Sequence, residues 1–251
     1  MALLRDYYRP ETLTDAVALL RRTDANLLPL AGGSRLIGEL ETRSRTDVDG
    51  VIDLAGLNLD KIEVSGRVLQ LGATTTLSDL MAHPVAGELA GGILRRAAQA
   101  EGPVNLRNAA TVGGVVAGAE ADSELYAALL ALGTQVLLSD GETDTTVPLA
   151  HLTAGDVAGK LITGVTIAMA NLTSGHARVA RTPGDRPIVA AVAVVGDGVE
   201  RVAVCGVAPR PVLSTETFDP ATDFKASAEY RLAMSEVVMV RALTEAKGNT
   251  P

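Results

Sequence analysis

The chain has 251 residues, of which 47% are hydrophobic and 21% charged, with a formal net charge of −8. That length allows two domains and a large core. The acidic balance excludes a basic stripe for nucleic acid, and no apolar run approaches the roughly 20 residues that span a bilayer. The N-terminus has an early acid and no signal-peptide apolar block, so a cytoplasmic protein is expected.

Residues 13–22 predict an opening helix. Thr12 and Asp15 form a Thr-x-x-Asp cap, and Leu13, Ala16, Val17 and Leu20 make one apolar face. A short strand over 27–30 leads into the glycine turn Ala31-Gly32-Gly33-Ser34. A helix over 34–41 and a strand over 51–54 complete a small βαβ-like unit. Residues 68–72 read as a strand and 76–83 as a helix with a second Thr-x-x-Asp cap, Thr76 and Asp79; Pro84 then breaks the chain. A helix is predicted over 88–100, with Leu89, Ile93, Leu94 and Ala97 on one side.

Residues 105–114 read NLRNAATVGG: a polar turn at Arg107 and Asn108 runs through Thr111 into a second glycine pair. Glycine lacks a Cβ, so its backbone can approach a bulky anion and turn N–H groups toward it. By itself such a pair is a weak signal. Residues 123–132 form a helix that is apolar nearly all round, hence buried. A hairpin follows, 135–138 and 145–149 about Asp140-Gly141. Residues 161–169, 188–195 and 199–207 are β-branched apolar runs, the last two joined by Gly-Asp-Gly. Pro209 and Pro211 end the sheet edge. Residues 212–224 read as loop, and a last helix over 226–247 is expected to bury Tyr230, Ala233, Met234, Val237 and Val240.

The single cysteine, Cys205, lies in an apolar run and reads as a buried structural thiol. It excludes an intrachain disulfide and a cysteine-ligated iron–sulfur cluster supplied by this chain alone. His83, His151 and His176 show no metal-ligand spacing. No catalytic triad or carboxylate pair is recognisable.

The order of glycine turn, NLRNAATVGG, LYAALLAL (125–132), GVAPRPV (206–212) and KASAEYR (225–231) resembles the FAD-binding medium subunit of molybdenum hydroxylases, of the carbon monoxide and xanthine dehydrogenase type. The resemblance covers nearly the whole chain. It implies an α+β fold: a small α/β unit (1–57) and a larger α+β unit (58–158) that sandwich FAD, then a C-terminal sheet-and-helix domain (159–251). It implies an oxidoreductase subunit that takes electrons from iron–sulfur clusters of a small subunit, fed by a molybdenum-cofactor large subunit. FAD then passes them to NAD, oxygen or a quinone. The family's two pyrophosphate loops map onto Ala31, Gly32, Gly33, Ser34, Arg35 and Leu36, and onto Thr111, Val112, Gly113, Gly114 and Val115.

Departures from the family pattern cluster where FAD is expected. Arg35, where the first loop usually has Asp or Ser, is expected to add a cation to the phosphates or to stand solvated at the surface. Val115 stands where Asn or Asp is usual. Ser-Pro-x-Ser-Asp becomes Glu120-Ala121-Asp122-Ser123-Glu124, in which Glu124 is expected to accept from a ribose hydroxyl. Glu120 and Asp122 place two more negative charges near the pyrophosphate, or cap the following helix at its positive end. Arg178 and Arg181 take the lysine and arginine places of an element near the flavin. The chain is also shorter than usual, through loss of a helical segment between Leu213 and Phe224. The competing reading is a degenerate homologue that keeps the fold without FAD and serves as a structural or assembly subunit.

Overall fold

The computed structural model describes residues 4–248. The first unit is a three-stranded parallel sheet, ordered β1-β3-β2, made of β1 (Asp6–Tyr8), β2 (Leu27–Leu30) and β3 (Gly50–Asp53). Its helices are α1 (Leu13–Leu20) and α2 (Leu36–Glu41). The expected cap forms: Thr12 accepts from the Asp15 N–H. Ala16, Val17, Leu27, Ile52 and Leu54 fill its core, and Leu161 from much later in the chain joins them.

The second unit begins with β4 (Ile62–Ser65), β5 (Val68–Gly72) and α3 (Leu77–Ala82), the last capped by Thr76 as predicted. Next comes α4 (Pro84–Ala100), which is not the continuous helix expected over 88–100. Ala90, Gly91 and Gly92 take left-handed φ values of 49°, 72° and 83°, and the helix restarts at Ile93. The glycine pair makes that break possible. Then follow α5 (Val104–Ala109), α6 (Val112–Gly118) and α7 (Glu124–Ala131). Residues 107–108 are therefore helical rather than a polar turn, and the second glycine pair opens α6. The unit closes with β6 (Gln135–Ser139), β7 (Asp144–Pro148), the short α8 (Ala154–Val157) and β8 (Leu161–Ala168). Although its sequence groups it with the later strands, β8 pairs between β5 and β6 in the order β4-β5-β8-β6-β7.

The third sheet has β9 (Thr173–Val179), β10 (Val189–Gly196), β11 (Val199–Cys205) and β12 (Val212–Leu213) side by side, with α9 (Ala228–Ala246) laid across one face. Alternation on β10 divides the two cores. Ala190, Val192 and Val194 face α7 and the second unit, while Val189, Ala191 and Ala193 face α9. Every residue of α7 is buried, as its all-round apolar pattern predicts.

The buried face of α9 differs from the expected one. Arg231, Ser235, Val238, Ala242 and Ala246 point inward, while Tyr230, Ala233 and Val240 are exposed. The cause is close approach. A Cβ on Gly175 of β9 would stand 1.9 Å from the Ala242 carbonyl oxygen, so the small face must turn to the sheet. The two apolar stripes interleave, and the periodicity alone does not choose between them.

Arg231 ties the start of α9 to the sheet. Its guanidinium donates to the carbonyls of Ile188 (2.6 Å) and Gly206 (3.1 Å) and to both oxygens of Asp223 (2.8 and 2.9 Å). Burial raises the Asp223 carboxyl, but Arg231 and the N–H groups of Ala226 and Lys225 outweigh it and hold the pKa at about 2. A depressed carboxyl stabilises the fold above its unfolded value of about 3.9, and that gain is lost as pH falls toward 2. Arg231→Met is expected to lower the unfolding free energy by about 2 kcal/mol at neutral pH, chiefly because the Ile188 and Gly206 carbonyls lose their buried donor. It should also remove that acid limb, as read by urea denaturation from pH 6 to 2.5. A stability within error of wild type contradicts this assignment.

Candidate functional site

Between the first two units lies a cavity of about 780 Å³, within the range of about 300–1,000 Å³ usual for ligand sites. Ala31, Gly32, Gly33, Ser34, Arg35 and Leu36 line one wall, and Thr111, Gly113, Gly114 and Val115 line the other. Two glycines make the meeting possible. A Cβ on Gly32 would stand 1.5 Å from the carbonyl oxygen of Ala109, the last residue of α5. Gly33 adopts φ +69°, which a side chain disfavours. The loop after β2 therefore rests directly on the end of α5.

The two glycine segments differ in what they offer. The backbone N–H groups of residues 32–36 have no partner among the described residues, and no side chain caps α2. The Ser34 hydroxyl is likewise unengaged. At α6 every early N–H is taken. Val112 donates to Thr75 O (3.0 Å), Gly113 to Ala73 O (2.8 Å), Gly114 to Thr111 Oγ1 (3.1 Å) and Val115 to Thr111 O (2.9 Å). The expectation of a second N–H cradle is corrected accordingly. Gly113 is a packing glycine, since a Cβ there would meet Ala73 at 2.7 Å. Val112 is fully buried and outside the cavity lining; the free proton of the Thr111 hydroxyl is what this segment has left to donate.

The acidic segment is neutralised from the third unit. Arg186 donates to Glu120 (2.6 Å) and Glu101 (2.9 Å) and lies 3.0 Å from Asp122, which also pairs with Lys225 at 2.8 Å. Neither Glu120 nor Asp122 caps α7. That task falls to Ser123 and to Glu101, whose Oε1 accepts from the Ser123 hydroxyl and the Leu125 N–H. Burial pushes the Glu101 carboxyl up, with Arg186 opposing. Glu124 and Arg178 stand outside the cavity. The Glu124 carboxylate is 1% exposed and contacts His176 and, at 3.0 Å, Arg178. Arg178 also donates to the carbonyls of Pro183 (2.9 Å) and Asp185. A ribose-binding role for Glu124 does not fit this burial.

Sequence reasoning missed Glu101, Glu39, Lys160, Arg186 and Arg210, all of which line the cavity. Only Arg186, in the Gly-Asp-Arg-Pro turn after β9, had a local signal. Tyr126 is the one aromatic in the described lining.

Arg186→Met would leave Glu101, Glu120 and Asp122 facing one another without their shared cation. We expect a loss of about 3 kcal/mol at pH 8. Glu101 then binds a proton more readily folded than unfolded, so its contribution is intact below the ordinary glutamate value and lost as pH rises through the raised one. The deficit against wild type should shrink on going from pH 8 to pH 5 in chemical denaturation; a pH-independent deficit contradicts the charge account.

Comparison with known proteins gives the chain a family. Residues 3–168 match the family described as FAD binding domain in molybdopterin dehydrogenase. The carbon monoxide dehydrogenase medium chain of Afipia carboxidovorans is 28% identical, over 96% of each chain. The glyceraldehyde dehydrogenase medium chain of Sulfolobus acidocaldarius is 24% identical, over 95% of this chain and 97% of that one. Among solved structures, a reconstituted CO dehydrogenase from Oligotropha carboxidovorans superimposes with a TM-score of 0.88 at 26% identity, covering all of both chains. The chain belongs to the family of FAD-binding domains of molybdopterin dehydrogenases.

Proposed function

We propose that this chain is the FAD-carrying subunit of a molybdenum hydroxylase-type oxidoreductase, relaying electrons from a partner's iron–sulfur clusters to an acceptor. The observation that carries the reading is the row of N–H groups at residues 32–36 with no partner among the described residues, in a loop that lines a cavity large enough for a dinucleotide. A pyrophosphate is a diffuse dianion, and consecutive backbone N–H groups suit it. Ala31, Gly32, Gly33, Ser34, Arg35 and Leu36 would hold it through the main chain and the Ser34 hydroxyl, and Thr111 would add its hydroxyl from the opposite wall. Apolar lining residues such as Leu54, Leu77 and Val116 would exclude water. Bound flavin supplies the redox chemistry, while the protein supplies position and electrostatics.

The partners in this reading are a molybdenum-cofactor large subunit and an iron–sulfur small subunit. It is supported by relatives that are themselves called medium chains and by a chain whose one cysteine is buried. A cytoplasmic complex is part of the same reading; no helix among the described residues is long and apolar enough to cross a membrane. The degenerate alternative drew on Val115, the acidic segment 120–124 and the scarcity of aromatics. Pairing with Arg186, Lys225 and Arg178 neutralises the acidic segment, which is the one of these grounds that bears on charge.

Purified protein titrated with FAD is expected to acquire the visible flavin spectrum. At 100 times the dissociation constant it should gain about 2.7 kcal/mol of stability. Gly33→Val, which puts a branched side chain at a left-handed position 2.7 Å from Ile37 Cδ1, should weaken FAD at least about tenfold through lost loop geometry. A wild-type protein that takes up no FAD, even with both partner subunits present, rejects the proposal.

A further inference from the structure

Two departures from the family pattern, far apart in sequence, meet in space. Arg35 stands where Asp or Ser is usual, and Glu120 opens the altered acidic segment. Arg35 Nε lies 2.7 Å from Glu39 and 3.8 Å from Glu120, and its Nη1 donates to the Gly118 carbonyl at 2.9 Å, 83 residues along the chain. Both side chains line the cavity, and both are open to solvent, 48% and 39% exposed. They therefore sit at its rim.

The backbone beneath this crossing is shaped for it. A Cβ on Gly118 would come within 3.0 Å of Arg35 Nη1, so a side chain there would crowd the guanidinium. Ala119 is held at φ +42°, an unfavourable conformation for alanine. That turn presents the Gly118 carbonyl and the Glu120 carboxylate together. The far oxygen of Glu120 is fixed by Arg186 at 2.6 Å. One run of polar contacts thus joins α2, the end of α6 and the turn after β9.

Other contacts between the first two units include the Gly32 backbone resting on the Ala109 carbonyl and a set on the α1 side. On the α1 side, Thr14 donates to Gly141 O (2.8 Å) and Arg21 to Gly159 O (3.0 Å), and Leu161 is buried in the first unit's core. That side is held by two exposed hydrogen bonds to backbone carbonyls and by the burial of Leu161. At the rim, one exposed ion pair, worth about 0.2–1 kcal/mol, and the Arg35–Gly118 hydrogen bond cross between the units. Losing those rim contacts leaves Leu161 and the Gly32–Ala109 contact in place.

We propose that Arg35 and Glu120 form a strap across the mouth of the cavity, which sets how fast the dinucleotide enters and leaves. The inference rests on the FAD reading above. Arg35 and Glu120 are positioning residues here, acting on access rather than touching the cofactor through their side chains.

The test is stopped-flow flavin fluorescence on wild type, Arg35→Met and Glu120→Gln, together with amide hydrogen exchange of the cofactor-free proteins. Loosening the strap should raise association and dissociation rates by roughly fivefold each, the scale of one such contact, with the dissociation constant changed less than about threefold. Residues 36–42 should exchange faster in both variants. Unchanged rates overturn the proposal. So does an affinity lost through dissociation alone, which would make the Arg35 side chain a cofactor ligand. If wild type and variants all fail to bind FAD, the functional reading falls by itself, and exchange alone decides: faster exchange upholds the strap and unchanged exchange overturns it.

Discussion

The structure depends on one close approach, the Gly32 backbone resting on the carbonyl of Ala109. It brings two segments nearly eighty residues apart in sequence into one wall-to-wall cavity. It also leaves the following N–H groups without partners inside the chain. Buried or enclosed backbone donors are normally satisfied. Residues 32–36 are half-buried or exposed at the start of α2, so water meets their donors when no ligand does, and an anion is the ligand that would engage the whole row. The two glycine pairs that look equivalent in sequence have unequal roles: the first donates, and the second packs.

Charge is handled locally. The chain carries a formal −8, yet the acids of segment 120–124 are each matched to a cation from another element. Glu120 and Asp122 share Arg186, Asp122 also takes Lys225, and Glu124 is sealed beside His176 and Arg178. An anion can then approach the 32–36 loop without facing uncompensated carboxylates. The same contacts fix the third sheet against α7, so electrostatics at the rim and packing of the core are coupled.

Much of the fold was legible because it is local. The Thr12 and Thr76 caps, the all-round apolar α7 and the turn at Asp140-Gly141 are written in adjacent residues. What escaped is non-local. Nothing near β8 says that it inserts between β5 and β6. The donors of α6 are consumed by Ala73 and Thr75, some forty residues earlier in the chain. The outward turn of Tyr230 and Val240 follows from Gly175 on another element. In the candidate site, the family motif located Ala31 to Leu36 and Thr111 to Val115 along the chain, but not which of them still had hydrogen-bonding capacity. Glu101 was invisible because its partners, Ser123, Leu125 and Arg186, are supplied by tertiary structure.

The central claim is that main-chain N–H groups of residues 32–36 grip the FAD pyrophosphate while those of residues 112–115 do not. Amide-resolved proton–nitrogen NMR during an FAD titration tests it directly. The account predicts large shifts and slowed exchange at residues 32–36, with the α6 amides at 112–115 keeping the protection they have without cofactor. FAD binding that leaves 32–36 unperturbed, or perturbs 112–115 instead, would contradict it.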